Sequence, residues 1–427
     1  MSAEHENPAV TKEQPSGLRS LRAVAGQDLQ GLPTLKTDDG KALCVLQVVP
    51  AMETGGVERG TMDIARAILA AGGRAIVASS GGVLAQRLKL IGAEHVELPL
   101  QSKNPYVMWR NVQRLKKLIV RENVHVVHAR SRAPAWSALQ AARECQVPFV
   151  TTVHAPYNIE NGLKRFYNSV MTKGDRVISI SHFVNEYINR NYVVDPERIR
   201  IIHRGIDVDA FNPDTVSQER VIMLANKWRL PDGVPLLMLP GRLTRWKGQR
   251  LMLDALRELG DRDYCCVFVG SDQGRKAYSQ ELMQTIRDYG LGEKVFITDV
   301  CDDMPAAYML SDIVVSPSTD PEGFGRVVSE GQAMGRAVVA SDHGGAREQL
   351  LPDVTGFLFE NRDVKAFASA LDKALSLNEE QRQSLAVAGK QRVVENFSKG
   401  QMNRKTLSVY REVAAEYGIG TFLKQDS

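Results

Sequence analysis

Short runs of apolar residues alternate with longer amphipathic stretches between about residue 43 and residue 215. Several of these runs are nearly all apolar, as expected for strands that are buried on both faces. Helical patterns such as Val57–Ala71 and Met108–Arg121 lie between them. This alternation predicts a parallel, doubly wound sheet. The predicted strands are Cys44–Val49, Arg74–Ser79, His95–Leu98, His125–His128, Phe149–Val153, Arg176–Ile180 and Arg200–Ile202.

The alternation starts again after a connecting segment, which predicts a second α/β domain. Its predicted strands are Leu236–Leu239, Cys265–Val269, Val295–Ile297, Ile313–Val315 and Ala337–Ala340. A chain of 427 residues is also too long for one ordinary core. We therefore expect one Rossmann-like domain over residues 43–215 and another over residues 216–398, with a cleft between them.

The two ends of the chain lack this alternation. Residues 1–42 are polar and contain several Pro and Gly, which is typical of a mostly disordered or extended arm. Residues 399–427 contain one long amphipathic helical pattern over Gly400–Tyr417. We expect this C-terminal helix to cross back to the first domain.

Composition narrows the class of protein. The hydrophobic content of 43% and the charged content of 24% are those of a soluble globular protein. A net charge of only +4 is weak evidence for nucleic acid, and we expect no such partner. No run approaches the roughly 18 apolar residues of a spanning helix, and the first residues lack the apolar core of a signal peptide. The five scattered cysteines form no disulfide framework, which favours a reducing cytoplasm.

Ligands of open α/β sheets bind beyond the carboxyl ends of the strands, so the loops after strands carry the candidate chemistry. Gly55 and Gly56 follow the first strand and precede a helix, where free backbone N–H groups suit an anion. A tight turn with a helix cap explains them equally well. His154 ends another strand and could contact a sugar hydroxyl or a reacting phosphate. A hydrogen-bonded buried histidine is the commoner case.

A third loop carries two cations directly after a strand of the second half. Arg242 and Lys247 could converge on a diphosphate, since arginine offers a fork of donors and lysine a compact charge. Such cations stabilise the charge that develops on a departing nucleoside diphosphate. A solvated basic loop is the alternative, but the glycine and helix that follow favour phosphate binding.

The fourth loop, Pro321–Glu330, places two carboxylates eight positions apart. Pro321 and the two nearby glycines predict that Glu322 lies on a loop, and the next pattern predicts that Glu330 lies in a helix. Apolar neighbours suggest that much of this helix is buried, and a buried carboxylate needs a partner such as the hydroxyls of a ribose. A surface carboxylate or a contact with the helix dipole would be the simpler explanation.

Together these loops resemble the retaining glycosyltransferases of family 4, which have the GT-B fold. The resemblance covers nearly all of residues 43–420, and the Glu-x7-Glu and Gly-Arg-Leu-x3-Lys-Gly patterns are specific in combination. The segment His203-Arg204-Gly205-Ile206-Asp207 also looks like the family's connector, usually Asn-Gly-Val-Asp. Here Gly205 and Asp207 fit that pattern, whereas His203 and Arg204 depart from it.

The resemblance implies a role for each candidate residue. Glu322 would contact hydroxyls of the donor sugar, and Glu330 would hold the ribose of the nucleotide. The base would lie near Val300, in a loop that binds it mainly through backbone groups. His154 matches the family's strand-end histidine near the sugar and the reacting centre. The groups that would hold phosphate or sugar beside them are the side chains of Arg242 and Lys247 and the amides of Gly55, Gly56, Gly323, Phe324 and Gly325.

The implied reaction transfers a hexosyl group from a nucleotide diphosphate sugar to a hydroxyl acceptor with retention. Both glutamates would bind the donor, so neither would be the nucleophile, unlike the paired carboxylates of retaining glycosidases. No metal or other cofactor is expected. GDP-mannose and UDP-hexoses both remain open as donors. The expected acceptor is a glycan or lipid-linked molecule of lipopolysaccharide or another envelope polysaccharide.

One predicted helix bears on membrane contact. Its basic residues are Arg110, Arg114, Lys116, Lys117 and Arg121, with Trp109, Leu115 and Ile119 between them. This face could rest on anionic lipid at the inner side of the cytoplasmic membrane. From the sequence alone a solvated amphipathic helix is slightly favoured, while the resemblance favours peripheral membrane contact.

Other functions have less support from the sequence. A dehydrogenase would need Gly-x-Gly-x-x-Gly and a kinase of the P-loop type would need Gly-x4-Gly-Lys-Ser/Thr, and both are absent. A nucleotide-sugar epimerase could share the architecture but is not supported by the Glu-x7-Glu pattern. An inactive GT-B subunit that only binds a partner is the alternative from a different class.

Overall fold

The computed structural model describes residues 26–420, which form two α/β domains. The first domain has a seven-stranded sheet in the order β3-β2-β1-β4-β5-β6-β7, and all its neighbouring strands are parallel. The central strands are buried along their whole length because helices cover both faces of the sheet. The strands are β1 Cys44–Val48, β2 Arg74–Ser79, β3 Glu94–Glu97, β4 Val126–Ala129, β5 Phe149–Val153, β6 Arg176–Ser179 and β7 Ile199–Ile201.

The helices of the first domain alternate with these strands. They are α1 Gly56–Ala70, α2 Val83–Leu90, α3 Pro105–Arg121, α4 Arg132–Glu144, α5 Gly162–Ser169 and α6 His182–Asn191. Local signals define several starts: for example, the Asn104 side chain accepts from the amides of Tyr106 and Val107 and so caps α3, with Pro105 in the first turn.

The second domain repeats the design with six parallel strands in the order β10-β9-β8-β11-β12-β13. They are β8 Leu236–Pro240, β9 Cys265–Val269, β10 Val295–Thr298, β11 Ile313–Ser316, β12 Ala337–Ser341 and β13 Phe357–Phe359. The helices are α7 Gln218–Trp228, α8 Gln249–Glu258, α9 Lys276–Asp288, α10 Met304–Leu310, α11 Arg326–Ala333, α12 Ala346–Gln349, α13 Val364–Leu375, α14 Glu379–Asn396 and α15 Lys399–Glu416. The prediction of two doubly wound domains is confirmed.

The last helix, α15, packs on the first domain. Leu407, Tyr410 and Val413 are fully or almost fully buried in a core that they share with residues of α1 and β1. The Glu412 carboxylate lies 2.9 Å from the Arg176 guanidinium and also pairs with Arg200, both on strands of the first sheet.

The segment before β1 is packed against the same helix. Residues 1–25 of the predicted arm lie outside the described residues. The rest, residues 26–42, contain a short 3-10 helix at Gln27–Leu29 and an antiparallel bridge between Lys36 and Ala42. Leu35 of this segment is fully buried. The backbone carbonyl of Asp28, in the same segment, accepts a hydrogen bond from the Asn403 side-chain amide of α15 at 3.3 Å.

Each sheet reverses its strand order once near the middle. In the first sheet the reversal lies between β1 and β4, and in the second it lies between β8 and β11. The loops that leave the carboxyl ends of these strand pairs diverge and leave a crevice, the usual ligand position in such sheets. The loops after β1, β8 and β11 are three of the four that the sequence singled out.

Candidate active site

The crevice of the second domain brings two predicted site residues into direct contact. Lys247 Nζ donates to Glu322 Oε1 at 2.7 Å, and the two side chains are only 12% and 19% exposed. Ser318 Oγ donates to the same carboxylate oxygen at 2.6 Å. The approach of the two loops requires Gly248, whose φ of +80° suits glycine and whose added Cβ would overlap the Pro317 carbonyl oxygen. Lys247 and Glu322 thus form a paired, largely buried unit.

Arg242 and Lys247 both lie near the Trp246 ring in the loop after β8. The Arg242 guanidinium carbon is 5.9 Å from the centre of the Trp246 ring, and Lys247 Nζ is 4.6 Å from the same centre. Cations at these distances are attracted to the face of an indole. Arg242 is exposed, whereas the neighbouring Arg245 pairs with Glu281 at 2.6 Å on the surface. The Trp246 ring therefore contacts both predicted phosphate-binding cations.

Glu330 is held by a partner that the sequence did not reveal. It lies in α11 and is 7% exposed, as expected for a buried helix. Its Oε2 accepts from the Tyr308 hydroxyl at 2.8 Å, and its Oε1 lies 3.7 Å from Arg326 Nε. Burial, with the adjacent Glu330 carboxylate, raises the pKa of Tyr308 well above its usual value, so this hydroxyl stays a donor. The buried carboxylate is therefore oriented by the protein itself.

Val300 stands apart from this group. It is 62% exposed and follows β10, the edge strand of the second sheet. Its amide donates to the Asp299 carboxylate at 2.7 Å. The structure leaves its side chain accessible at the carboxyl edge of the sheet, but brings it into no contact with Lys247, Glu322 or Glu330.

The loop after β11 also touches the first domain. Ser181 Oγ donates to the Gly323 carbonyl at 2.6 Å, and a Cβ added at Gly323 would lie 2.8 Å from the His154 carbonyl oxygen. The Phe324 ring is 3% exposed and lies 5.7 Å from the Phe397 ring. Phe324 thus packs between the domains, while Gly323 brings the loop after β11 against the strand end that carries His154.

On the first domain, His154, Arg204 and Gly56 form a connected group. Arg204 donates to the Gly56 carbonyl at 2.6 Å, and its other terminal nitrogen lies 3.3 Å from His154 Nδ1. His154 Nε2 is buried without a hydrogen-bond partner. Burial, followed by the charge of Arg204, lowers the pKa of His154 well below its usual value. The histidine is therefore neutral at physiological pH. Gly55 and Gly56 begin α1, with no side chain capping its first turn.

One group within residues 26–420 has the spacing of metal ligands, namely His182, His203 and Glu348. Glu348 Oε2 lies 2.9 Å from His203 Nε2, and the carboxylate also accepts from the amides of His182 and Phe183 at 2.8 and 2.7 Å. Glu348 lies in α12 of the second domain, and the amides begin α6 of the first. This carboxylate therefore serves as a clasp between the domains.

The structure adds three side chains to the candidate site that the sequence did not predict. Ser318 and Tyr308 orient the two glutamates, and Arg204 joins His154 to the glycine loop. Ser318 and Tyr308 belong to no motif, so nothing in the sequence marks them. Arg204 had a signal, since it departs from the usual asparagine of the connector that the resemblance identified.

Comparison with known proteins identifies both halves of the chain. Residues 54–210 match the family described as Glycosyltransferase Family 4, and residues 223–392 match Glycosyl transferases group 1. A glycosyltransferase from Rickettsia africae is 37% identical, with a TM-score of 0.83 over 87% of this chain and 99% of that one. Anabaena HepE, solved with UDP-glucose, is 22% identical with a TM-score of 0.73, covering 86% of this chain and 100% of its own.

Among curated proteins, a D-inositol 3-phosphate glycosyltransferase from Xylanimonas cellulosilytica is 28% identical over 302 residues, which is 67% of this chain and 72% of that protein. A second, from Catenulispora acidiphila, is 28% identical over 316 residues, or 69% of this chain and 73% of its own. The two family matches together cover most of both domains.

Proposed function

We propose that this chain, which belongs to the glycosyltransferases and has the GT-B fold, transfers a hexosyl group from a nucleotide diphosphate sugar to a hydroxyl acceptor with retention. The observation that carries the proposal is the Lys247–Glu322 pair at 2.7 Å, held in the crevice of the second sheet and next to the strand end of His154. This arrangement supplies a cation for a leaving diphosphate and a carboxylate for sugar hydroxyls at one place.

In this proposal Glu322 binds the donor sugar and Glu330 binds the ribose. Glu322 receives hydrogen bonds from Lys247 and Ser318 through Oε1, which leaves Oε2 for a sugar hydroxyl. Glu330 is oriented by Tyr308. Both carboxylates have fixed partners, which suits ligand binding better than nucleophilic attack.

The chemical step then rests on position and charge. The bond from the anomeric carbon to the diphosphate breaks, the acceptor oxygen bonds to that carbon on the same face, and the acceptor proton passes to the leaving phosphate. Arg242 and Lys247 stabilise the charge on the diphosphate, assisted by amides at Gly55 and Gly56. Neutral His154 contributes a hydrogen bond at the reacting centre without adding a charge there.

Metal independence is part of the proposal. The candidate cations for the diphosphate are side chains, and the aspartates of the connector are otherwise engaged: Asp207 lies 2.9 Å from Lys399 Nζ and accepts from the Ala210 amide. We expect full turnover in an excess of chelator. Loss of turnover that returns with added Mg²⁺ or Mn²⁺ would contradict this part.

The donor is tested by thermal denaturation with a panel of nucleotide sugars, including UDP-glucose and GDP-mannose. A donor at a hundredfold excess over its Kd stabilises the folded chain by about 2.7 kcal/mol. We expect one nucleotide class to stabilise the chain and its sugar to be released slowly or transferred. If no nucleotide sugar stabilises the chain and none is consumed, the inactive GT-B subunit becomes the better proposal.

The sequence resemblance and the curated relatives favour different acceptors. The resemblance predicts a lipid-linked or envelope glycan, whereas the curated relatives above are named for inositol 3-phosphate. We propose a hydroxyl acceptor bound by the first domain, and a transfer assay with inositol 3-phosphate beside lipid-linked glycans separates the two. Product formed from only one of them decides the class.

Peripheral membrane contact is a further part of the proposal. No helix within residues 26–420 is long and apolar enough to cross a membrane. In α3, Leu115 and Ile119 are buried in the core, whereas Trp109 is 57% exposed and Arg110 and Lys117 also face solvent. We expect flotation with anionic vesicles to fall when Arg110 and Lys117 are replaced by Glu. Equal flotation of the two proteins would dismiss the contact.

A further inference from the structure

We propose that the crevice of the first sheet contains an anion subsite, built by Arg130 and Arg204 beside the start of α1, for a phosphate or carboxylate group of the acceptor. This inference rests on the proposed function, because it assigns the acceptor to the first domain. It adds a chemical requirement for the acceptor that the reaction itself does not impose.

Arg130 is a buried charge with little compensation. It follows β4 directly and is 4% exposed. Its terminal nitrogen donates to the Gln47 side chain at 3.4 Å, and its Nε has no hydrogen-bond partner. Among residues 26–420 no carboxylate lies within 4.0 Å of this guanidinium. Buried charges are normally paired because removal from water is costly, so this one indicates a missing anionic partner.

A second guanidinium converges on the same place. A Cβ added at Gly60, in the first turns of α1, would lie 3.1 Å from terminal nitrogens of both Arg130 and Arg204. Burial, with the like charge of Arg130, lowers the pKa of Arg204 to about 10, and burial also lowers the pKa of Arg130. Arginine side chains stay protonated in proteins, so both groups carry a charge at neutral pH. An anion between the two guanidiniums would offset their repulsion and accept hydrogen bonds from their N–H groups.

Three other titratable side chains lie near the proposed anion position. His154 Nε2 is buried without a hydrogen-bond partner beside Arg204. Asp63 attracts both guanidiniums from a distance, but its direct ion pair is with Lys399 at 3.0 Å, so it occupies no donor of either arginine. The Glu58 carboxylate folds back over Gly55 at the start of α1, so an oxyanion is already tolerated at this helix end.

The position favours the acceptor over the donor. The subsite lies at the strand reversal of the first sheet. Arg130, His154 and Arg204 line a small cavity there, and its other walls are mostly apolar residues of that domain together with Met402 and Thr406 of α15. The donor diphosphate has its own cations, Arg242 and Lys247, at the reversal of the second sheet, and it takes only the amides of Gly55 and Gly56 from the first domain.

The test measures anion binding while the donor diphosphate position is filled. The full chain is saturated with whichever of UDP or GDP stabilises it, and inorganic phosphate, glucose 6-phosphate and glucose are titrated by calorimetry. The variants are Arg204→Asn, Arg204→Lys and, as a matched control, Arg66→Gln, which removes one exposed charge from the same helix. Thermal denaturation of each variant confirms that it is folded.

We expect saturable binding of phosphate and of glucose 6-phosphate, with glucose much weaker. Arg204→Asn should weaken both anions by about tenfold or more, as expected for loss of a charged hydrogen bond. Arg204→Lys should retain part of the affinity, and Arg66→Gln should match the wild type.

Three results would overturn the inference: no phosphate binding by the nucleotide-saturated chain, binding that Arg204→Asn leaves unchanged, or an effect of Arg204 seen only without nucleotide, which would assign it to the donor diphosphate. Failure of the proposed function looks different, because then no nucleotide stabilises the chain at all. Nucleotide binding without phosphate binding would reject the subsite alone.

Discussion

At the strand reversal of the second sheet, Lys247 lies 2.7 Å from Glu322, and Glu330 is held by Tyr308. At the equivalent reversal of the first sheet, Arg130 and Arg204 converge over Gly60 and no carboxylate neutralises Arg130 among the described residues. The two crevices thus have the same topology but opposite charge balance. One domain carries its counter-charges, and the other requires them from a ligand.

This difference has a physical consequence for each half. The donor crevice is preorganised, because its charged groups already hold one another in position before a ligand arrives. The crevice of the first sheet contains two converging guanidiniums with no directly paired carboxylate among the described residues, so we expect an anionic ligand to gain more from entering it than a neutral one. Four changes test how far this contrast extends, and they are given in order of decreasing expected effect.

Replacing Lys247 by Ala should have the largest effect. It removes the cation assigned to the leaving diphosphate and leaves the Glu322 carboxylate without its main partner, so kcat/KM should fall by about 10²–10³-fold. Circular dichroism should show an intact fold. Arg245→Ala is the control, because it removes a charge from the same loop that pairs with Glu281 on the surface. Unchanged turnover of Lys247→Ala at saturating donor would end the assignment of that crevice to the diphosphate.

Replacing Glu330 by Ala should raise the KM for the donor by roughly tenfold to a hundredfold, as expected for loss of hydrogen bonds to a charged group. It also leaves the buried Tyr308 hydroxyl without its acceptor, which should cost about 1–3 kcal/mol of stability. Tyr308→Phe is the comparison, since it keeps the carboxylate and removes only its orienting bond. If Glu330→Ala binds the donor as well as the wild type, the ribose assignment is wrong.

Replacing Gly323 by Ala tests whether the two crevices must touch. The added Cβ would lie 2.8 Å from the His154 carbonyl oxygen, so the donor loop must move away from the first domain. We expect turnover to fall about tenfold, because reacting groups lose their alignment, while donor affinity measured by calorimetry changes little. Gly292→Ala is the control, since nothing lies within 4 Å of its added Cβ. Equal turnover in both variants would show that this contact is not needed for transfer.

Acid should weaken the contacts that Glu348 makes between the domains, and we expect this to be the smallest of the four effects. Burial acts to raise the pKa of Glu348, but the hydrogen bonds from His203 and the amides of Phe183 and His182 outweigh it and lower the pKa. A carboxyl group with a lowered pKa in the folded state stabilises above its unfolded pKa of about 4.5. This stability is lost as pH falls through the folded value.

Glu348→Gln should therefore be less stable than the wild type at neutral pH and nearly equal to it in acid. Urea unfolding between pH 3 and pH 7 measures the difference. A constant difference across this range would mean that the charge of Glu348 does not contribute to the clasp.

The fold was readable because its strands are buried on both faces. The apolar runs of Phe149–Val153 and Cys265–Val269 match the observed strands residue for residue. The half-exposed edge strand β3 was placed one residue too far along, since its pattern has no apolar run to define it. The strand β13 was missed, because three residues next to a glycine give too short a pattern.

The sequence predicted only part of the candidate site, namely the residues that lie in motifs. Lys247 and Glu322 lie in motifs on neighbouring loops, so their meeting at one crevice could be expected from the parallel order of strands. Tyr308 and Arg130 act through partners on other elements, and their contacts depend on how helices and strands pack. No pattern of spacing encodes such contacts. Burial was predicted for Glu330, but its protein partner was not.

The return of α15 to the first domain also has a consequence for how the protein is made. Leu407, Tyr410 and Val413, with other residues that follow residue 400, complete a core whose remaining members precede residue 216. The ribosome must therefore translate the whole second domain before that core can close. During synthesis the first domain waits with an uncovered apolar face, which is the kind of surface that chaperones bind. Expression of residues 43–215 alone would leave that face uncovered permanently, so the two domains, though similar in plan, mature as one unit.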